Sequence, residues 1–199
     1  QNHPGLDIDP DEYLDLLVVS IAADIVPVTD ENRILAYHGL RKLKNNPCPG
    51  LRAIMQHSEM TEVTMPNVVF RIAPKINSAG RIKHALAAVD LMLAATMDKG
   101  DVLARDLKGH NDNRRDTDEL ITREALEMIE SDSTLMSARS TVLFKQDWHK
   151  GVIGIVASRC IEKYYRPTII LTKKSEDLVT GSARSVTGFD VYNALSTCS

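Results

Sequence analysis

The sequence lacks the features that would place it in several large classes. Its three cysteines, Cys48, Cys160 and Cys198, are an odd number with no CxxC spacing. They supply neither a disulfide framework nor a zinc site, and a reducing cytoplasm is the default setting for such usage. No apolar run approaches the roughly 18 residues that span a bilayer, so no membrane partner is expected. Excess positive charge is also missing: 24 Lys and Arg stand against 27 Asp and Glu, for a net charge of -3 and a pI near 6.1. A broadly basic, histone-like surface is thereby excluded. A local basic patch is not, because the field depends on where the charges lie. No internal repeat and no low-complexity segment occurs. What is present is a chain of 199 residues with 43% hydrophobic content, enough for one large domain or two small ones. It opens without Met and closes in "FDVYNALSTCS", where an amphipathic helix has just begun. Both ends are expected to mark a piece of a longer protein.

Three sections follow one another, read as 1–100, 101–131 and 132–199. In the first, "DEYLDLLVVSIAADIVPV" has acidic residues at a helix start and is then almost wholly apolar, which predicts a buried helix stopped by Pro27. "ENRILAYHGLRKLKNN" places Ile34, Leu35, Leu40 and Leu43 near helical spacing, and "NNPCPG" reads as a turn. "NSAGR" reads as a turn leading into a short helix over "HALAAVDLMLAA", punctuated by Lys99-Gly100-Asp101. The middle section is a long polar helix whose apolar residues Leu103, Leu107, Ile121, Ala125 and Ile129 leave a central gap. A helix polar nearly all round bridges domains or lies along a groove, so it reads as a connector. The last section is α/β: "TVLFKQD", "PTIILTKK" and "LVTGSARSV" as strands, with a helix over "GVIGIVASRCIEKYY". Strand, helix, strand in that order predicts a crossover unit in a small mixed sheet.

Several residues carry possible chemistry, each with an ordinary alternative. Asp24 ends an apolar stretch with no Lys or Arg within a helical turn. It is either a helix-end aspartate bonded to following amides or a ligand for a hard cation such as Mg²⁺ or Mn²⁺. Asn77, Gly80 and Arg81 group at what reads as a helix mouth, where amides and a guanidinium suit a phosphate. A structural tie to an acidic residue is equally open for Arg81. In "GSARS", strand alternation sends Ser182 and Arg184 to one face, a hydroxyl beside a guanidinium, which suits a terminal phosphate as well as an exposed strand end. The lone tryptophan, Trp148, precedes His149 and Lys150-Gly151 at the entry to a helix, and reads as a packed aromatic beside a histidine satisfied by backbone. Asn111, Arg114 and Arg115 form a cationic step on the long helix and read as solvated surface.

In order and spacing, "LVVSIAADIVPVTDENRILAYHGLRKL", "FRIAPKINSAGRIKHA", "HNDNRR" and "DWHKGVIGIVASRCIEKYYRPTIIL…GSARS" resemble the RecJ single-strand-specific DNA exonucleases of the DHH (Asp-His-His) phosphoesterase superfamily. The resemblance runs from about Tyr13 to Leu195. It implies an α/β chain made of the C-terminal helical part of a DHH domain, a connector helix and the N-terminal part of a DHHA1 (DHH-associated) domain. It implies Asp24 as a ligand and catalytic carboxylate of a two-ion Mn²⁺ or Mg²⁺ cluster. Arg81 becomes a contact to the DNA backbone, Ser182 and Arg184 a pocket for a 5′ end, and Asn77 and His149 further substrate-binding residues, His149 in a segment that shapes the second domain. Ala183 stands where many relatives have glycine, a departure that stiffens the strand slightly. No Asp-His-His sequence occurs in the chain, so most of the implied metal ligands are not here. The implied activity is 5′→3′ hydrolysis of single-stranded DNA in repair and recombination, with a single-strand-binding protein admitted as a further partner. Another DHH-superfamily oligonucleotide or cyclic-dinucleotide phosphodiesterase, and a non-catalytic nucleic-acid-binding module, remain alternatives.

Overall fold

A computed structural model describes residues 9–82 and 85–198. The first eight residues and the start of the "HALAAVDLMLAA" helix at His84 lie outside the described residues. The chain forms two compact units, Gln1–Asp112 and Asn113–Ser199.

The first unit is helical. Asp9 accepts the Asp11 N–H at 3.0 Å and opens a 3₁₀ turn, Pro10–Tyr13. It runs into α1 (Leu14–Ala23), with Val18, Val19, Ile21 and Ala22 buried. Pro27 is not the stop that the sequence predicts. The helix ends at Ala23 because Ile25 takes left-handed backbone, φ 52°, which breaks the helical path before the proline is reached. Helix α2 (Asp30–Asn45) follows, with Leu43 buried and Ile34 turned outward. The "NNPCPG" turn is shorter than expected, because Pro49 already starts α3 (Pro49–His57), a position where its missing N–H costs nothing. The fully buried Asp15 carboxylate accepts the Cys48 N–H at 2.7 Å and fixes this junction.

The next stretch departs most from expectation. A single turn, α4 (Met65–Asn67), passes through a π segment (Val68–Ile72) into α5 (Ala73–Ile82). Pro74 sits in the first turn of α5, directly after the π turn has widened the helix, so its ring and absent donor are tolerated. "NSAGR" is therefore helix, not a turn, and Arg81 lies at the end of α5 rather than at a helix mouth. Gly80 meets no steric demand, since an added Cβ would come no closer than 3.9 Å to Ala85.

After α6 (Leu86–Met92) comes α7 (Met97–Ser131), and Lys99-Gly100-Asp101 lies inside it rather than before it. Gly100 marks close packing, because a Cβ there would sit 3.0 Å from the Pro49 carbonyl oxygen. Leu43, Leu51, Ile54, Val68, Ile72, Leu91, Ala104 and Leu107 make the core of this unit.

The division between units falls within α7. Its C-terminal part buries Ile121, Ala125 and Ile129. The polar gap in its apolar pattern includes buried side chains: Asn111 is 5% exposed, which corrects the solvated-surface reading of that residue, while Arg115 is exposed. In the second unit a short α8 (Ser133–Ser137) leads to β1 (Thr141–Phe144), α9 (Ile153–Tyr164), β2 (Thr168–Ser175), β3 (Leu178–Arg184) and α10 (Val191–Ser196). The sheet order is β1-β2-β3, with β1 parallel to β2 and β2 antiparallel to β3, the mixed crossover arrangement expected. Val152, Val156, Ala157 and Cys160 are buried along α9, and Leu143 and Ile170 in the sheet. Buried Arg166 donates to Thr141 Oγ1 at 2.8 Å and to the carbonyls of Leu135, Met136 and Ala138 at 2.7, 3.1 and 2.6 Å, tying the end of α8 to the sheet. Among the described residues, no helix is long and apolar enough to cross a membrane.

Candidate nucleic-acid interface

The first unit brings Asp24 and Asn77 to one cavity, with Arg81 further along α5. Asp24 caps the C-terminal end of α1 through its backbone N–H, which donates to Ser20 O at 3.1 Å. Its carboxylate is exposed and makes no hydrogen bond or ion pair among the described residues. The bonding to following amides that an ordinary helix-end aspartate would show is therefore not seen. Asn77 Nδ2 donates to the Ala23 carbonyl at 3.4 Å, which ties α5 to the end of α1 beside Asp24. Both line a cavity of about 550 Å³ whose other walls include Tyr13, Leu17, Ile76 and Met92. Arg81 lies four residues beyond Asn77, one turn along the same helical face. A carboxylate and an amide thus share one cavity, a hard oxygen donor for a cation beside a hydrogen-bond donor, and the guanidinium stands one turn beyond the amide. No group of three His, Cys, Asp or Glu able to hold a metal ion occurs among the described residues.

The second unit places Ser182 and Arg184 side by side on β3, as alternation predicts. Their partners across β2 are Ile170 and Thr168. Arg184 Nη1 donates to Ser182 Oγ at 3.1 Å and to the Ala183 carbonyl at 2.8 Å. The guanidinium is exposed, and no ion pair among the described residues involves it. Both side chains lie against the first turn of α9 at Gly154. The start of a helix of this length adds positive potential to the same place, with the Val152 and Ile153 N–H groups donating to the His149 carbonyl.

The turn that leads into α9 carries His149, half-buried, whose Nδ1 accepts the Gly151 N–H at 3.1 Å. That bond leaves the ring proton on Nε2. Trp148 is 4% exposed and holds the turn from inside. Its Nε1–H donates to Glu124 Oε2 at 2.7 Å, and its carbonyl accepts from Thr172 Oγ1 at 2.7 Å. Lys145 Nζ reaches the same Glu124 oxygen at 2.9 Å. That bond, then the indole bond, hold the Glu124 carboxyl below the ordinary carboxylate range. Sequence reasoning missed Glu124. The signal available was the lone indole N–H, which needs an acceptor when buried, but nothing local points to a residue 24 positions upstream.

Residues 137–199 match the DHHA1 domain family. Over 192 residues, 95% of this chain, the sequence is 36% identical to the single-stranded-DNA-specific exonuclease RecJ of Bacillus subtilis, of which it spans 24%. The crystal structure of RecJ in complex with Mg²⁺ from Thermus thermophilus matches with a TM-score of 0.83 and 32% identity, covering 95% of this chain and 29% of that one. A structure of exonuclease RecJ bound to manganese matches with a TM-score of 0.82 and 31% identity, covering 96% of this chain and 47% of that one. The chain therefore carries a DHHA1 domain in its second unit and resembles the RecJ exonucleases along nearly all of its length.

Proposed function

We propose that this chain supplies the phosphate-gripping part of a 5′→3′ single-stranded-DNA exonuclease. The observation that carries the reading is the Ser182–Arg184 pair at the start of α9. A guanidinium without a carboxylate partner, a hydroxyl and a helix N-terminus are set together on one face. Such a group suits a terminal phosphate, with His149 Nε2–H as a further donor nearby in sequence. In the first unit, Asn77 and Arg81 serve the sugar-phosphate backbone. These contacts read phosphate rather than base, so binding should be indifferent to sequence and strongly salt-dependent.

Asp24 is the carboxylate we assign to divalent metal, in keeping with the Mg²⁺ and Mn²⁺ of the similar solved structures. It can give only one ligand. A two-ion centre has its ions about 3.5–4 Å apart and needs several carboxylate or imidazole ligands. The described residues do not make up such a centre. The chain by itself is therefore expected to bind single strands without cutting them. A DNA substrate makes the cytoplasm the expected location, and roles in repair and recombination, alongside a single-strand-binding protein, belong to the same reading.

Fluorescence anisotropy with a 5′-phosphorylated single-stranded oligonucleotide tests it. Binding should weaken steeply with salt, and the Arg81→Ala, Arg184→Ala double variant should lower the log–log salt slope by about 0.7 per lost contact. Equal binding by the double variant would remove the proposed phosphate contacts. Nucleotide release in Mn²⁺ or Mg²⁺ that Asp24→Ala abolishes would overturn the claim that the chain does not cut.

A further inference from the structure

Gly154 is the second residue of α9, and nothing about its backbone asks for glycine. Among the described residues the one glycine with left-handed φ is Gly188, and glycine is the poorest helix former after proline. Its reason lies across the sheet. A Cβ at this position would stand 3.0 Å from Ser182 Oγ, 3.2 Å from Arg184 Nη2 and 3.7 Å from Ser182 Cβ. The close contacts at Gly39, Gly50 and Gly100 differ in kind, because there the nearest atom is a backbone carbonyl oxygen, and at Gly181 it is an apolar Leu171 methyl. At Gly154 the space is taken up by the ends of two side chains that carry chemistry.

We propose that Gly154 is the positioning residue of the terminal-phosphate pocket. Its bare Cα lets the Ser182 hydroxyl and the Arg184 guanidinium lie against the first turn of α9, so that the two converge on one anion at the positive end of the helix dipole. This deepens the proposed function and rests on it. The local hydrogen bonding fits the geometry. Val152 and Ile153 both donate to the His149 carbonyl, which winds the turn directly into α9. The helix start beside Ser182 and Arg184 therefore bears the positive end of the dipole. A phosphomonoester carries about 1.5–2 negative charges near neutral pH, against one for an internal diester. The pocket formed around Gly154 therefore distinguishes a 5′-phosphorylated end from a 5′-hydroxyl end.

A methyl group at 154 would displace both side chains by a few tenths of an ångström. The guanidinium and hydroxyl can swing away, so the cost falls on pocket geometry and not on the fold. Alanine is also the better helix residue, which leads to an unusual combination: a variant at least as stable as wild type that has lost its end preference.

The experiment compares binding of a short oligothymidylate with a 5′-phosphate and with a 5′-hydroxyl to the 199-residue chain, alongside thermal melting. Wild type should prefer the phosphorylated strand by about tenfold or more, the scale of one to two charge-assisted hydrogen bonds. Gly154→Ala should bring that ratio close to one while melting no lower than wild type. Gly109→Ala is the matched control, since a Cβ there meets nothing within 4 Å, and it should keep the preference. If Arg184→Ala loses the preference and Gly154→Ala keeps it, the pocket stands and the inference about Gly154 falls. If wild type shows no preference at all, the pocket itself falls and the inference with it. A Gly154→Ala melting temperature below wild type would make Gly154 a packing residue and overturn the proposal.

Discussion

Replacing Glu124 by alanine removes the acceptor on which the Trp148 turn depends. The indole N–H at 2.7 Å from Glu124 Oε2 belongs to a side chain that is 4% exposed, so water cannot readily replace the lost carboxylate. A buried donor left unsatisfied costs about 1–3 kcal/mol. The Lys145 bond to the same oxygen adds little, because that ammonium is well exposed and screened. In a unit of this size each kcal/mol lowers the melting temperature by about 4–8 °C, so a fall on the order of 5–15 °C is expected. Trp148 is the sole tryptophan, which makes its fluorescence a direct reporter. Emission should shift toward that of a more polar site. Glu124→Gln keeps an acceptor oxygen and should lose less than half as much. The pH dependence has a definite sign. The carboxyl titrates below its ordinary 4.5 in the folded state, through the Lys145 bond and then the indole bond. Its contribution is thus complete above 4.5 and is lost as pH falls through the folded value, so the gap between wild type and Glu124→Ala should narrow in acid. An unchanged melting temperature with unshifted emission would refute the role of this bond.

Two further outcomes follow from the second unit and the cysteines. Arg166→Met deletes the donors to Thr141, Leu135, Met136 and Ala138, and should cost about 3 kcal/mol in a denaturant midpoint; an unmoved midpoint would mean that the guanidinium does not pin α8. Burial pushes the Cys160 thiol up to about 11 and also raises Cys48, whereas Cys198 is exposed. A thiol-titrating disulfide reagent at mildly alkaline pH should therefore modify Cys198 first and Cys160 only after unfolding, and rapid native labelling of Cys160 would contradict that burial.

What the sequence made legible, and what it hid, divides by distance along the chain. Period-two alternation placed Ser182 and Arg184 on one face because side-chain direction in a strand is a local property. The crossover sheet and α9 were legible for the same reason. The glycines were not. Gly80, Gly100 and Gly154 look alike as letters, yet one has no steric reason, one packs on the Pro49 backbone and one makes room for Arg184. The partners are up to some tens of residues away, so no local rule separates them. "NSAGR" reads as a turn, and the chain instead stays helical through it, widening into a π turn just before Pro74. Asp24 and Asn77 lay in different segments on paper, and only the packing of α5 on α1 brings them to one cavity.

The displacement of Arg81 from a helix mouth to a helix end changes what can be asked of it. At the last turn of α5 a cation is favoured by the dipole without any ligand, so position alone no longer argues for a bound phosphate. The case for Arg81 rests instead on its sharing a face with Asn77, one turn away from the amide that bonds to the backbone beside Asp24. Arg184 stands differently, because its direction is set by the Ser182 bond and by the gap at Gly154. The two arginines should therefore fail in different ways when removed singly. Loss of Arg81 should weaken single strands with either 5′ end by the same factor and flatten the salt slope. Loss of Arg184 should erase the distinction between the ends. If the two single variants prove indistinguishable in both measurements, the separation of backbone grip from end recognition is wrong, whatever the double variant shows.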